Sequence, residues 1–383
     1  MTEFLIQTLH GLTLGALFAL VAVGYTMVYG IIKLINFAHG EFYMVGGFTG
    51  LLTLLFLTGP GRPFTSAPGE LKLLISLLAA GLIVALLAVL TERWAYRPLR
   101  QVGRISALLT AVGVSLLLQN IGITATGGRS AGFAETIEDE LYPRYAVDLG
   151  KLQAGEIAAR TIVYRAQYRD YKDQPLLGPG GKPLQVPVTL AAPGQPIDAA
   201  RLKTAVDAKP IEIYAYPAVT IHKKQIFIFV ALAVSALLLY LMVQHTQVGR
   251  AMRAVSHDMQ AASLMGIDCS RIVSLTFGVG GMLAGIGGVL AGGMFISAVD
   301  PLMGFMFGLK AFIAAVLGGI GSIPGALLGG LVLGLIEQYA QYYADIAYPG
   351  AGAYRDAIAF VILIGILLIR PRGFFGRIEG EKV

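Results

Sequence analysis

Nine stretches of this chain are apolar over runs long enough that water cannot be their solvent: residues 4–29, 41–58, 71–90, 105–126, 225–244, 272–292, 305–323, 326–342 and 354–369. A helix rising about 1.5 Å per residue needs about 20 apolar residues to cross a bilayer core of about 30 Å, and most of these runs come close. Hydrophobic residues make up 56% of the 383 and charged residues 14%, a balance that one soluble domain of this length does not reach. The expected fold is therefore an all-α polytopic membrane protein with about eight to ten transmembrane helices. The 49 glycines fit such a bundle, because small residues let helix backbones approach closely in lipid.

Charge orients the bundle. The loop after the third run carries Arg93, Arg97, Arg100 and Arg104 against one acid, Glu92, and the C-terminal tail carries Arg370, Arg372, Arg377 and Lys382. Short basic loops stay in the cytoplasm, which places both of these inside, the N-terminus outside and the 246–271 connection inside. The net charge of +6 follows from the same bias and does not call for nucleic acid as a partner. Met1–Gly15 has Glu3 where a signal peptide would carry basic residues, so this stretch reads as a retained span. Cys269 stands alone, which excludes an intrachain disulfide.

Three parts follow: N-terminal transmembrane helices over 1–126, an extracytoplasmic insert over 127–224, and C-terminal transmembrane helices over 225–383. The insert has nearly balanced charge, as a long loop exempt from the positive-inside bias does. Alternation in TIVYRAQY (161–168), the turn residues Gly178, Pro179, Gly180 and Gly181, and the short run 184–190 predict a small β-containing element. A structural insert, a ligand site and a partner-docking module all fit this composition.

No G-x-x-x-x-G-K-[ST] loop occurs, so the chain has no Walker-type cradle for ATP phosphates. Neither a metal-spaced Cys/His cluster nor HExxH is present, so no cofactor and no catalytic group are expected. Polar residues inside apolar sequence stand out instead. In YGIIKLINFAHGEFYMVGG, Asn36, His39 and Glu41 sit among apolar neighbours, with Gly40, Gly46 and Gly47 allowing a break or a close approach. Ionisable groups at membrane depth tend to face a bundle interior or a water-filled path, while an interfacial turn between two spans gives the same letters. Lys310 and Glu337, on neighbouring runs, are the other candidates for a path, or for a pair that neutralises itself.

Residues 308–330, GLKAFIAAVLGGIGSIPGALLGG, carry Gly318, Gly319, Gly321 and Pro324, which should interrupt helix. Two half-length runs of a broken span would fit, and so would a tight turn between two ordinary spans. Between the fifth and sixth apolar runs, residues 246–270 form a polar helical segment of about 20 residues. At helical spacing Met252, Val255, Met259, Ala262 and Met265 share a face, with Arg250, Arg253, His257 and Asp258 elsewhere around it. Such a helix lies at a membrane surface, packed on its own protein and headgroups or offering its apolar stripe to a partner.

YTMVYGIIKLINFAHGEFYMVGG (25–47), ERWAYRPLR (92–100), GRAMRAVSHDMQAASLMGID (249–268) and GLKAFIAAVLGGIGSIPGALLGG (308–330) resemble the permease subunits of bacterial branched-chain amino acid ABC importers. More narrowly they are similar to the H-type subunit. The likeness covers both ends of the chain and most of the spans, in order. It implies a multi-pass protein of the bacterial inner membrane that assembles with a second, M-type permease, two ATP-binding subunits and an extracytoplasmic solute-binding protein. It also implies that 249–268 contains a coupling helix, with Ala254, Asp258, Ala262, Met265 and Gly266 as the surface that docks on the ATPase. Asn36, His39, Glu41, Lys310 and Glu337 are the candidates for the translocation path. The wider family includes permeases for urea and short amides, and a self-sufficient secondary transporter or channel is the alternative from another class. The sequence shows no evident internal repeat or dense set of buried acids to favour that last reading. The 127–224 insert is longer than the connection in family members of this kind.

Overall fold

The computed structural model describes residues 2–34, 36–58, 64, 67–99, 104–132, 145–146, 153, 161–167, 185–191, 196–207, 212–216, 223–296, 298–348, 350–369 and 373–375. Its helices are α1 (Thr2–Ile32), α2 (His39–Thr58), α3 (Gly69–Thr91), α4 (Arg104–Thr126), α5 (Ala199–Asp207), α6 (Lys223–His245), α7 (Gln247–His257), α8 (Met259–Leu264), α9 (Cys269–Leu290), α10 (Met303–Gly318), α11 (Ile323–Ala347) and α12 (Arg355–Ile369). Each of the nine apolar runs has become a helix. Among the described residues seven are long and apolar enough to cross a membrane, and α10 and α12 are apolar helices of 16 and 15 residues. The chain is an all-α polytopic membrane protein, as its composition requires.

The chain divides into two compact units, one of residues 1–6 with 139–223 and the other of residues 7–138 with 224–383. The helices on both sides of the insert thus belong to one body. In the smaller unit, β2 (Tyr145–Ala146), β3 (Thr161–Gln167), β4 (Gln185–Ala191) and β5 (Glu212–Tyr216) form an antiparallel sheet in the order β2-β5-β3-β4, accompanied by α5. The alternating stretch and the short run predicted as strands are the paired β3 and β4, with Tyr164 opposite Val188. Gly178, Pro179, Gly180 and Gly181 lie outside the described residues, as do Arg100 and the basic tail residues Arg370, Arg372, Arg377 and Lys382. In the larger unit, β1 (Ala131–Gly132) after α4 pairs antiparallel with β6 (Ala298–Val299) before α10.

Glycine sets the packing of the large unit. α2 lies between α9 and α10 with backbone close to backbone where glycines meet: a Cβ at Gly40 would sit 2.8 Å from the Gly308 Cα, and one at Gly46 would sit 2.8 Å from the Gly285 carbonyl carbon. The Gly-rich 308–330 stretch is a hairpin. Gly319 (φ 100°) and Gly321 (φ 95°) take left-handed conformations that only glycine adopts without strain, and Ser322 Oγ caps α11 by accepting from the Gly325 amide at 3.2 Å. Pro324 then falls in the first turn of α11, where its missing N–H costs nothing. The arms have 16 and 25 residues, so the glycines mark a turn between two helices and not the midpoint of a broken one.

The connection between α1 and α2 departs most from a plain hairpin. α1 ends at Ile32, Lys33 turns the chain with φ 51°, and α2 starts at His39. The start of α2 does not lie level with the end of α1. The His39 ring sits against Gly24, about two turns before that end, and against Gly280, midway along α9. Glu41 reaches Ser115, midway along α4, at 3.2 Å. Three neighbours therefore place the first turn of α2 halfway along the bundle, with Asn36, Phe37 and Ala38 leading into it. Non-helical backbone at such depth is tolerated where protein encloses it, and Asn36, Ala38 and His39 are all buried.

Candidate functional site

Two features concentrate polar chemistry in the large unit, and a third offers an exposed apolar tip. The first is the re-entrant start of α2. Among the described residues, seven buried side chains carry a polar atom with no hydrogen-bond partner in the chain, and five of them are Thr26 (Oγ1), Asn36 (Nδ2), His39 (Nε2), Glu41 (Oε2) and Tyr43 (phenol). A buried polar group without a partner costs roughly 1–3 kcal/mol, so the four in and beside the first turns of α2, on Asn36, His39, Glu41 and Tyr43, are an expensive arrangement. Glu41 accepts from the Ser115 hydroxyl with Oε1, while Oε2 points toward Gly304 in the first turn of α10. Its carboxylate thus stands at the starts of two helices, α2 and α10, where exposed N–H groups favour negative charge. His39 is stacked at 4.5 Å on Tyr25, and Tyr43 lies flat on Phe307 at 4.2 Å. Asn36 accepts from the Tyr96 hydroxyl at 2.8 Å through Oδ1, which leaves its amide N–H groups as the free donors. The interfacial reading of Asn36, His39 and Glu41 does not hold, because all three are enclosed in the bundle.

The second feature brings Lys310 and Glu337 together. Lys310 Nζ donates to Glu337 Oε1 at 2.7 Å and to Asp356 Oδ1 at 2.8 Å, and it lies 5.7 Å above the Phe18 ring. Arg355 closes the group, 3.4 Å from Glu337 and 3.5 Å from Asp356. Two cations and two anions from α10, α11 and the start of α12 neutralise one another. Sequence reasoning identified the first pair and missed the second, although Arg355 and Asp356 stand at the head of an apolar run.

The third feature is the segment between α6 and α9. It is two short helices and not one of about 20 residues, because Asp258 takes an extended conformation (φ −154°) that ends α7 and starts α8. Every bend is capped. Thr246 Oγ1 accepts from the Gly249 amide at 3.0 Å, Asp258 from the Gln260 and Ala261 amides at 2.9 and 3.0 Å, and Asp268 from the Arg271 amide at 3.0 Å. The Arg253 guanidinium donates to the Val243 carbonyl at the end of α6. The shared apolar face holds only through α7, where Met252 and Val255 are buried; beyond the bend Ala262 is 4% exposed and faces its own chain, whereas Met265 is 82% exposed. Leu264, absent from the sequence-derived set, is the most exposed large hydrophobic residue of the segment at 90%. Asp258 and Gly266 are exposed and Ala254 is half-buried. Gly266 (φ 83°) makes the turn that leaves Leu264 and Met265 at the tip.

The sequence is similar to known proteins along its whole length. A family model described as "Branched-chain amino acid transport system / permease component" matches residues 7–367. The high-affinity branched-chain amino acid transport system permease protein LivH of Escherichia coli K12 is 32% identical over 380 residues, covering 99% of this chain and 98% of the relative. The corresponding permease protein BraD of Pseudomonas aeruginosa is 35% identical over 382 residues, covering 100% and 98%. The ribose import permease protein RbsC of Escherichia coli K12 is 30% identical over 135 residues, which is 33% of this chain and 40% of the relative. No solved structure is matched.

Proposed function

The chain belongs to the family of permease components of branched-chain amino acid transport systems, and from that premise we propose that it is the membrane permease of an ABC importer carrying branched-chain amino acids into the cytoplasm. It is driven by separate ATP-binding subunits, pairs with a second permease and receives its substrate from an extracytoplasmic solute-binding protein. The protein sits in the bacterial inner membrane with the α7–α8 segment and the C-terminus on the cytoplasmic side and the small sheet unit outside, in keeping with the arginines after α3.

The observation that carries this reading is the tip of α8. Leu264 and Met265 are large apolar side chains exposed at 90% and 82% on a segment fixed at three helix caps. Fully exposed apolar anchors on a rigid polar segment are what a partner groove takes up at the centre of an interface. A chain without a phosphate-cradling loop must receive work mechanically, and a capped helix pair seated in a partner delivers it to α9. Ala254, Asp258 and Gly266 border this surface; Ala262 supports it from beneath.

Asn36, His39 and Glu41 line the path in the same reading, since unpaired polar groups at bundle mid-depth supply the few donors and acceptors that a zwitterion needs. Lys310 and Glu337 brace the bundle beside it. Met265→Glu is expected to leave the protein inserted while lowering ligand-stimulated ATP hydrolysis and uptake by about tenfold or more, the loss typical of an interface anchor. Wild-type coupling in this variant would remove the docking assignment. Glu41→Gln keeps the hydrogen bond from Ser115 but loses the charge, and uptake of labelled leucine is expected to fall while assembly persists. Leucine uptake, measured beside urea in cells deleted for the operon and complemented with it, tests the substrate; urea uptake alone would replace the amino acid assignment.

A further inference from the structure

One polar chain connects the tip segment to the buried cluster, and it runs through a π-turn. α3 does not stop at Thr91 as an ordinary helix. Residues Glu92–Tyr96 form a π-turn in which the Arg97 amide reaches back to the Glu92 carbonyl. Such turns hold one residue more than the α-helix needs and persist where side-chain contacts keep them. Here the contacts come from one face of α9, which begins directly after the α8 tip. The Glu92 carboxylate, fully buried, accepts from the Ser274 hydroxyl; Arg97 donates to Ser274 Oγ at 2.8 Å and to the Ser270 carbonyl at 3.4 Å and pairs with Glu92 at 3.4 Å. The Tyr96 ring packs on Phe277 at 5.5 Å. Ser270, Ser274 and Phe277 are spaced at four and three residues, one stripe of α9 gripping the π-turn along its length. On the far side, the Tyr96 hydroxyl is the donor that holds Asn36.

We infer that the π-turn Glu92–Tyr96 is the mechanical link between the ATPase-docking segment and the translocation path, with Tyr96 a positioning residue that sets which way Asn36 presents its amide donors. The inference rests on the proposed docking of the α8 tip. When α9 shifts with the α8 tip, Ser270 and Ser274 carry Glu92 and Arg97 with them, and a π-turn can absorb that movement by shedding its extra residue into a regular helical turn. Such a change of register rotates Tyr96 about the α3 axis and withdraws its hydroxyl from Asn36. Asn36 then loses the one side-chain hydrogen bond it has among the described residues, so the donor pattern at the start of α2 differs between the two states of the cytoplasmic face. Access along the path changes without any direct contact between nucleotide and substrate.

The test uses the co-purified transporter, with all its subunits, in proteoliposomes, and reads labelled leucine taken up per ATP hydrolysed. Tyr96→Phe keeps the ring on Phe277 and removes only the hydroxyl. Its ATP hydrolysis is expected to stay within about twofold of the parent while the transport ratio falls about tenfold, the effect of one hydrogen bond worth about 1.4 kcal/mol in one state only. Ser274→Ala, at the other end of the link, is expected to lower the same ratio. In Tyr96→Phe/Asn36→Leu the losses should not add, since both changes cut one contact. A wild-type ratio in both single variants, additive losses in the double variant, or a parallel fall of hydrolysis and uptake with a lowered unfolding temperature would overturn the link. Met265→Glu, run alongside, separates the outcomes: if it uncouples and Tyr96→Phe does not, docking stands and the π-turn link fails.

Discussion

Valine in place of Gly46 is expected to leave almost no folded protein. Its Cβ would lie 2.8 Å from the carbonyl carbon of Gly285 and closer still to the neighbouring backbone atoms, and backbone on both sides cannot step aside as a flexible side chain can. Overpacking in a core with room to adjust costs roughly 1–3 kcal/mol, and here two helices must separate along their length, so the loss should exceed that range. Because α2 also meets α10 at Gly40 and Gly308, moving it away from α9 creates a second clash. The comparison is Gly113→Ala, where an added Cβ meets nothing within 4 Å; it should be neutral or slightly stabilising, since alanine is the better helix former by about 1 kcal/mol. Yield of monodisperse protein in detergent and the unfolding temperature of each variant decide the matter, and a well-behaved Gly46→Val would show that the α2–α9 seam is looser than these distances.

The second large effect concerns the four-charge group. Lys310→Met removes the ammonium that Glu337 and Asp356 share at 2.7 and 2.8 Å and leaves two carboxylates with one guanidinium, in a place where Glu337 is buried. Breaking a buried pair by deleting one partner typically costs about 3–5 kcal/mol, because the remaining charge has lost its compensation. A lower unfolding temperature is therefore expected. Lys310→Met/Glu337→Gln, which restores the charge balance with Asp356 and Arg355, should recover a large part of the loss. If the single variant unfolds with the parent protein, or the second substitution recovers nothing, the group contributes no stability. Transport that survives in the recovered double variant would mark these residues as a brace beside the path and not a part of it.

How far the sequence could be read follows from what each feature depends on. The nine apolar runs became nine helices because the demand for internal backbone hydrogen bonding in lipid overrides finer propensities. Thr246, Asp258, Asp268 and Ser322 all became N-caps, a role that their residue types favour. Reading Asp258 as one more polar residue on a continuous helix, and not as a cap, merged α7 with α8 and put Ala262 on one face with Met252 and Val255. A cap and a mid-helix Asp have the same letter, and the extended backbone at Asp258 decides between them. The depth of the α2 start was not legible either, because residues 33–38 are apolar enough to suit either an interfacial turn or a return into the bundle. The packing of His39 on Gly24 and Gly280 and the bond from Ser115 to Glu41 distinguish these. Glu92 was visible as the lone acid in a basic loop. Its burial was the missed signal, since one acid among four arginines that bonds Ser274 and Arg97 is no longer a loop residue.

The Leu317 and Gly318 carbonyls, at the end of α10, take their hydrogen bonds from residues beyond α12: the Phe374 amide donates to Leu317 at 2.8 Å and the Phe375 amide to Gly318 at 3.0 Å, with Gly373 (φ 70°) turning the chain into place. Phe374 and Phe375 are thereby stitched to the end of α10 by main chain, so the identity of the two phenylalanines matters less for these bonds than the presence of the peptide. A fluorescent reporter fused after Val383 leaves this seal intact, whereas trimming the chain ahead of Gly373 uncovers two acceptors at once, the Leu317 and Gly318 carbonyls.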